Sequence, residues 1–269
     1  MDDRKILIVG CGNMGGALLA GWLAGGLPPQ SFTVVDPVLE SVPAGVTLLR
    51  DPPAGSFDLL VLGIKPQMLD AVAPSLNSLA GPGTTLLSIL AGVELDSLAR
   101  HFPDAGAIVR LMPNLSAALG KSPLALAATR IDAAGRAALE DALAPLGSTE
   151  WLDEAQFDLV TALAGSGPAF VYRFIDALAT GAESLGMPRG QAERLALATA
   201  EGAVALAAGA GVSPGELARK VASPGGTTEA GLRVLDQDGA LLRLIESTLR
   251  AARDRGAEMG VQSRDGGKR

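Results

Sequence analysis

The sequence predicts an α/β fold in its first half and an all-helical second half. Two observations carry this. Up to about residue 150, short runs rich in Val, Ile and Leu alternate with stretches of helical spacing. Beyond about Phe157 the strand-like runs disappear. The strand candidates are Ile6–Val9, Phe32–Val35, Leu59–Leu62, Thr85–Leu90 and Ile108–Leu111, and Leu124–Ala128 offers a further one. Between them, Met14–Ala24, Gln67–Leu79 and Leu95–Phe102 have helical spacing. Such alternation implies βαβ units and a parallel sheet covered on both faces.

The second half offers helices over Ala169–Leu185, Arg189–Ala208, Pro214–Val221, Thr228–Asp236 and Ala240–Met259. The last carries an apolar stripe of Leu241, Leu244, Ile245, Thr248 and Ala252. Gln191–Ala208 has apolar residues on almost every face, so it must be buried all round, most easily against a partner subunit. Val261–Arg269 reads as a frayed tail. The change of texture divides the chain into domains of residues 1–155 and 156–269.

Composition narrows the function. The 269 residues suit about two domains. Hydrophobic residues make up 48% but aromatics only 3%, so the core is built from Ala, Val, Leu and Ile. Small side chains bury less area each, which favours a large helix–helix or subunit interface. A net charge of -7 and the lack of a Lys/Arg cluster argue against a nucleic-acid partner. The Lys268–Arg269 pair is too short to change that. Cys11 stands alone, so no intrachain disulfide forms, which fits a reducing compartment. The start lacks the pattern of a signal peptide, and Leu195–Ala208 is too short and too polar to span a bilayer. A cytoplasmic protein without membrane partners is expected.

Gly10-Cys11-Gly12-Asn13-Met14-Gly15 follows the first strand and opens a helix, and Asp36 ends the second strand. Strand, glycine loop, helix and acid together make a Rossmann-type dinucleotide site. Gly10 permits the tight turn, Gly12 lets the backbone approach the pyrophosphate, and Gly15 lets the helix pack close. The helix N-terminus presents free N–H groups to the phosphates. Asp36 either accepts bonds from the adenosine ribose hydroxyls, favouring NAD, or caps the turn with Pro37. No Arg within Pro37–Pro43 would meet a 2′-phosphate. Lys65, before Pro66 at the end of the Leu59–Leu62 strand, either touches phosphate or ribose or is a solvated lysine. Small residues in Ser88–Gly92, Ala91 among them, are placed to line the nicotinamide pocket.

Ser223-Pro224-Gly225-Gly226-Thr227-Thr228 precedes a helix. It is either a nest of N–H groups for a carboxylate or an ordinary N-cap, with Thr227 as cap and a glycine hinge. Gly165-Ser166-Gly167-Pro168 reads as a close-packed turn and a wall of the site. His101, the only histidine, sits at a helix end and suits its dipole better than acid–base work. No Cys, His and carboxylate cluster has metal-ligand spacing, and no metal is expected.

These motifs, in this order, resemble the pyrroline-5-carboxylate reductase family: Gly10–Gly15, Ile64-Lys65-Pro66, Gly165–Pro168 and Ser223–Thr228, supported by Arg110-Leu111-Met112-Pro113-Asn114. The resemblance runs from near the first residue to the last helix. It implies a Rossmann-type domain followed by a helical dimerisation domain, with sites completed across a homodimer and further multiples of dimers. It implies NAD(P)H-dependent reduction of 1-pyrroline-5-carboxylate to L-proline. By similarity Ser223, Gly226, Thr227 and Thr228 hold the substrate carboxylate, and the Thr228 hydroxyl reaches the ring nitrogen. Glu154 lies where some relatives contact substrate. Gly10 through Gly15, Asp36, Lys65, Pro66 and Ala91 are the cofactor residues. Two departures stand out: Ala164 where the family usually has Ser, and Leu115-Ser116 where it usually has Thr-Pro. Asp36 and Glu40 predict that NADH is used at least as well as NADPH.

Rival readings are a related reductase acting on another cyclic imine or a hydroxy acid, and a non-catalytic dinucleotide sensor. The first loses weight because Ala169–Leu185 carries no lysine. The second loses weight because a sensor has no use for a carboxylate nest.

Overall fold

The computed structural model describes residues 4–266, without the side chains of residues 259 and 261–266. One compact unit runs to Ser166 and resumes at Ala251; the other is Gly167–Arg250.

The first unit contains β1 (Ile6–Val9), α1 (Asn13–Ala24), β2 (Phe32–Val35), β3 (Thr47–Leu49), β4 (Leu59–Leu62) and α2 (Leu69–Leu76). It continues through β5 (Thr85–Ser88), α3 (Leu95–His101), β6 (Ala107–Met112), β7 (Ser122–Thr129), α4 (Ala133–Leu143), β8 (Gly147–Trp151) and α5 (Phe157–Val160). The eight strands form one sheet in the order β3-β2-β1-β4-β5-β6-β7-β8. β1 pairs in parallel with both β2 and β4. The chain therefore winds outward on one side of β1 and then crosses to the other, which leaves a crevice at the carboxyl ends of β1 and β4.

Every residue of β1 and β4 is buried. Alternate side chains enter opposite faces, as the strand period of two requires. Leu7, Leu60 and Leu86 pack with Leu76, Leu98 and Phe102 on one face. Ile8, Val61 and Leu87 pack with Leu18, Trp22 and Leu143 on the other. Trp22 fastens α1 to α4 by donating its indole N–H to the Ala142 carbonyl at 2.8 Å.

The sheet departs from the expected all-parallel one, because β7 runs antiparallel to β6. β3 and β8 were not foreseen. β3 is an edge strand of exposed Thr47 and half-buried Leu48 and Leu49, and β8 is the polar run Gly-Ser-Thr-Glu-Trp. α4 lies outside the expected helices, and Asp132 caps it, accepting from the Gly135 N–H at 2.7 Å. β5 stops at Ser88 rather than Leu90. Gln67–Leu79 is not one helix: a 3₁₀ turn starts at Pro66, α2 holds Pro74, and a second 3₁₀ turn closes it. Pro66 cannot continue a helix from before it, and Pro74 removes an N–H from the ladder of α2. His101 does lie in the last turn of α3, where Nδ1 meets the Ser97 carbonyl and Nε2 meets Asp70 on α2, each at 2.8 Å.

The second unit is helical: α6 (Gly167–Ser184), α7 (Arg189–Gly209), α8 (Pro214–Val221), α9 (Thr227–Asp236) and the start of α10 (Ala240–Gly266). α6 and α7 pair through Ala179, Ala192 and Ala196. Arg189 ties them by bonding Asp176, Thr180 and Glu193 at 2.7–2.8 Å. The expected all-round burial of α7 does not occur within one chain: Leu195, Leu197, Val204 and Leu206 are 55–65% exposed. Backbone helix continues to Gly266, so residues 261–266 are not the frayed tail expected, and 267–269, with the Lys268–Arg269 pair, lie outside the described residues. Among the described residues no single helix is long and apolar enough to cross a membrane.

Candidate active site

The glycine loop lies at the crevice. Gly10 has φ +84°, and a Cβ there would stand 2.8 Å from the backbone of Gly63 and Ile64. The loops after β1 and β4 thus touch backbone to backbone. A Cβ on Gly15 would sit 2.7 Å from the Gly10 carbonyl oxygen. A Cβ on Gly12 would meet nothing within 4 Å. So Gly10 and Gly15 are required by the fold, whereas Gly12 leaves an open face. Gly12 is also the N-cap of α1, makes no side-chain cap and is followed by no acid in the first turn. Open space, uncapped N–H groups and a positive dipole end fit a pyrophosphate. Asn13 is exposed and Met14 half-buried beside it.

Asp36 is 7% exposed and spends both oxygens on the backbone. Oδ2 accepts from the Cys11 N–H at 2.9 Å, and Oδ1 accepts from Val38 and Leu39 at 2.9 and 3.0 Å. Burial opposes its ionisation, but those three N–H groups and the Arg50 guanidinium outweigh burial and hold its carboxyl below the usual range. It therefore caps its own turn and tethers the glycine loop. Oδ2 accepts only one of these bonds and keeps a second lone pair, so this does not close Asp36 to a hydroxyl donor. A cleft of about 400 Å³ beside it is lined by Cys11, Gly12, Val38, Leu39, Glu40 and Ser41. Burial, and then the Asp36 charge, push the Cys11 thiol up to about 11, so it stays protonated at neutral pH.

Arg50 escaped the sequence reading. Its Nη1 donates to the carbonyls of Asp36 and Leu39 at 2.8 and 2.7 Å. No local spacing announces it; the β2–β3 pairing brings it there. The need for glycine at Gly63 is likewise visible only once the two loops meet, where a Cβ would collide with the Gly10 carbonyl oxygen. Lys65 is exposed and caps the 3₁₀ turn begun by Pro66, its carbonyl accepting from Met68 at 2.9 Å. Ala91 is half-buried in the turn after β5.

Glu154 is committed within the first unit. Its Oε1 accepts from Arg110 at 2.8 Å and from the Leu95 N–H at 2.7 Å. Asn114 Nδ2 donates to the Ala164 carbonyl at 3.0 Å, in the π-helical turn Thr161–Gly165 that leads into Ser166.

In the second unit, α9 starts one residue earlier than expected, at Thr227, with Gly226 as N-cap; Thr227 is not the cap. The Gly226 N–H closes on the Ser223 carbonyl at 2.9 Å. The Gly225 N–H donates to Glu229 Oε2 at 2.8 Å, so this loop already binds one carboxylate, the chain's own. Ser223, Thr227 and Thr228 are exposed. Among the described residues no His, Cys, Asp and Glu group could hold a metal ion.

A doubly wound sheet with a glycine-lined crevice, joined to a separate helical unit, defines a dinucleotide-binding protein of the Rossmann class. Residues 5–92 match the family model described as NADP oxidoreductase coenzyme F420-dependent, and residues 154–259 match pyrroline-5-carboxylate reductase dimerisation. The chain is 36% identical to a pyrroline-5-carboxylate reductase of Pseudomonas aeruginosa, covering 97% of this chain and 99% of that protein. It is 34% identical to one of Methanosarcina acetivorans, with the same coverage. A solved pyrroline-5-carboxylate reductase of Coxiella burnetii superposes with a TM-score of 0.88 at 30% identity, over 96% of this chain and 98% of that one. At 24% identity and a TM-score of 0.78, a Plasmodium falciparum pyrroline carboxylate reductase with NADP bound, covering 97% and 99%, shares the fold. The chain belongs to the pyrroline-5-carboxylate reductase family. As such it is an oxidoreductase with a nicotinamide cofactor, and residues 154–259 are a dimerisation domain.

Proposed function

We propose that this chain reduces 1-pyrroline-5-carboxylate to L-proline with NAD(P)H, as the last step of proline synthesis, in the cytoplasm. The observation that carries it is one chain holding both the open glycine cradle and a loop in which one N–H, that of Gly225, already takes a carboxylate. Residues 1–155 act as the dinucleotide domain and 156–269 as the substrate and dimerisation domain.

When bound, the reduced nicotinamide supplies a hydride to the imine carbon. Gly12, Asn13, Met14 and Lys65 hold the phosphates, Pro66 starts the turn that carries Lys65, and Ala91 lines the ring pocket. Ser223, Gly226 and Thr227 hold the substrate carboxylate. The Thr228 hydroxyl hydrogen-bonds the ring nitrogen. A protonated C=N carbon is already electrophilic, so the residues mainly hold two partners in register and exclude water. This suits a protein whose one histidine is engaged between α2 and α3. The purified protein should oxidise NAD(P)H when given the cyclic imino acid. Absence of turnover with it, alongside reduction of a 2-keto or 3-keto acid, overturns the assignment.

NADH should serve at least as well as NADPH. The cleft beside Asp36 is lined by a second acid, Glu40, and the neighbouring Arg50 has its Nη1 engaged by the Asp36 and Leu39 carbonyls. A 2′-phosphate there meets like charge, whereas ribose hydroxyls meet an acceptor. The measurement is kcat/KM with both cofactors for wild type and Asp36→Ser. A strong wild-type preference for NADPH, unmoved by the substitution, sinks the idea.

The assembly should be a homodimer or a multiple of dimers. Leu195, Leu197, Val204 and Leu206 leave α7 with apolar side chains that one chain does not cover. Sedimentation at micromolar concentration should show no monomer; a stable monomer contradicts the proposal.

A further inference from the structure

Glu154 sits in the first turn after β8 and spends one oxygen on two partners. Oε1 accepts from Arg110 Nη1 at 2.8 Å and from the Leu95 N–H at 2.7 Å. Arg110 is 4% exposed, in the middle of the sheet, and its guanidinium lies 4.1 Å from the centroid of the Phe157 ring. Its Nε is buried and reaches no acceptor among the described residues. A buried cation is tolerable only beside a counter-charge, so Arg110 holds the Glu154 carboxylate in place.

That carboxylate closes the start of a helix far away in sequence. Leu95 is the first residue of α3, and the N-cap residue Glu94 makes no side-chain cap bond. The cap comes instead from Glu154. The other end of the same turn is fixed from β4 and β5. The Ile89 N–H donates to the Leu62 carbonyl at 3.1 Å, and the Leu90 N–H donates to Ser88 Oγ at 3.3 Å. Ser88 stands beside Arg110 in the β5–β6 ladder. The turn Ile89–Glu94 lies at the carboxyl end of a parallel strand, where doubly wound sheets bind their ligand, and it carries Ala91.

We infer that Glu154, held by Arg110, is a positioning residue that fixes the Ile89–Glu94 turn against the dinucleotide. The identity of the ligand rests on the reductase reading; the anchoring does not. A substrate contact through Glu154, which the family resemblance offers, has the opposite kinetic signature. Loss of an anchor weakens the dinucleotide; loss of a substrate contact weakens the imino acid.

The test is steady-state kinetics of Glu154→Ala, Glu154→Asp and Glu154→Gln, with calorimetric titration of NADH and NADPH. Glu154→Ala should raise both dinucleotide KM values by about tenfold, as fits one lost charge-assisted hydrogen bond. The imino acid KM should stay within about twofold. Glu154→Asp keeps the charge beside Arg110 but withdraws the cap, so it should shift the same constant with the fold intact. Glu154→Gln keeps a neutral acceptor for Leu95 but removes the counter-charge of Arg110, so it should recover only part of the loss. Arg110→Met should match Glu154→Ala, and the double variant should be no worse than either single one. Amide exchange at Leu95 should rise in Glu154→Ala and Glu154→Asp. A dinucleotide KM that stays at the wild-type value overturns the inference, as does an imino acid KM that rises as much. Titration reads the dinucleotide without turnover, so a wild type inactive on the imino acid would count against the reductase reading alone.

Discussion

Gly10→Ala should abolish measurable dinucleotide binding and lower the melting temperature as well. The residue sits at φ +84°, and the new methyl would stand 2.8 Å from three backbone atoms of Gly63 and Ile64. The left-handed conformation alone costs a non-glycine residue about 1–2 kcal/mol. Backbone on the far side cannot rotate away as a side chain can, so the loops after β1 and β4 must part. That displaces the Cys11 N–H from Asp36 and turns the first N–H groups of α1 away from the phosphates. For a chain of this size each kcal/mol lost lowers the melting point by about 2–4 °C. Gly12→Ala separates the two effects. Its Cβ meets nothing within 4 Å, so the melt should hardly move while dinucleotide binding falls, because the methyl stands in the open face. Calorimetric titration and thermal melts of both variants check this. Equal melting losses, or undiminished binding in Gly12→Ala, would place the dinucleotide elsewhere.

Thr228→Ala should cut turnover strongly and spare the dinucleotide. Thr228 is the second residue of α9, exposed, and among the described residues its hydroxyl makes no hydrogen bond. Removing it costs the unit no side-chain hydrogen bond, so a loss of turnover reports on substrate. A positioning hydrogen bond in a closed site is worth about 1–3 kcal/mol, which corresponds to about five- to 150-fold in kcat. Thr228→Ser keeps the hydroxyl and should recover most of the rate. Parallel measurements of kcat and both KM values decide it. An unchanged kcat in Thr228→Ala would hand the role to the N–H groups of the loop.

How much of this was legible beforehand varies by element. β1 and β4, each four apolar residues in a row, and β2, apolar except for Thr33, match the expected bounds residue for residue, because a strand buried on both faces has little alternation to misread. The glycine loop was equally plain, since backbone geometry there admits few residues. Edge strands β3 and β8 were invisible: neither is buried throughout, and their pairing comes from neighbours rather than from their own composition.

At the candidate site the residue types were readable, but their partners were not. Sequence alone determined that a glycine turn precedes α1, that an acid ends β2 and that Ser223–Thr228 opens α9, because each depends on a few adjacent residues. Only the tertiary structure decided that Asp36 spends both oxygens on the backbone and that Arg50 grips its turn. It alone brought Glu154, 59 residues further along, to the first N–H of α3. Local conformation is set by torsions and neighbours within a turn or two of chain. The partner of a hydrogen bond depends on which strands lie side by side, and that order is settled when the whole sheet closes around its core.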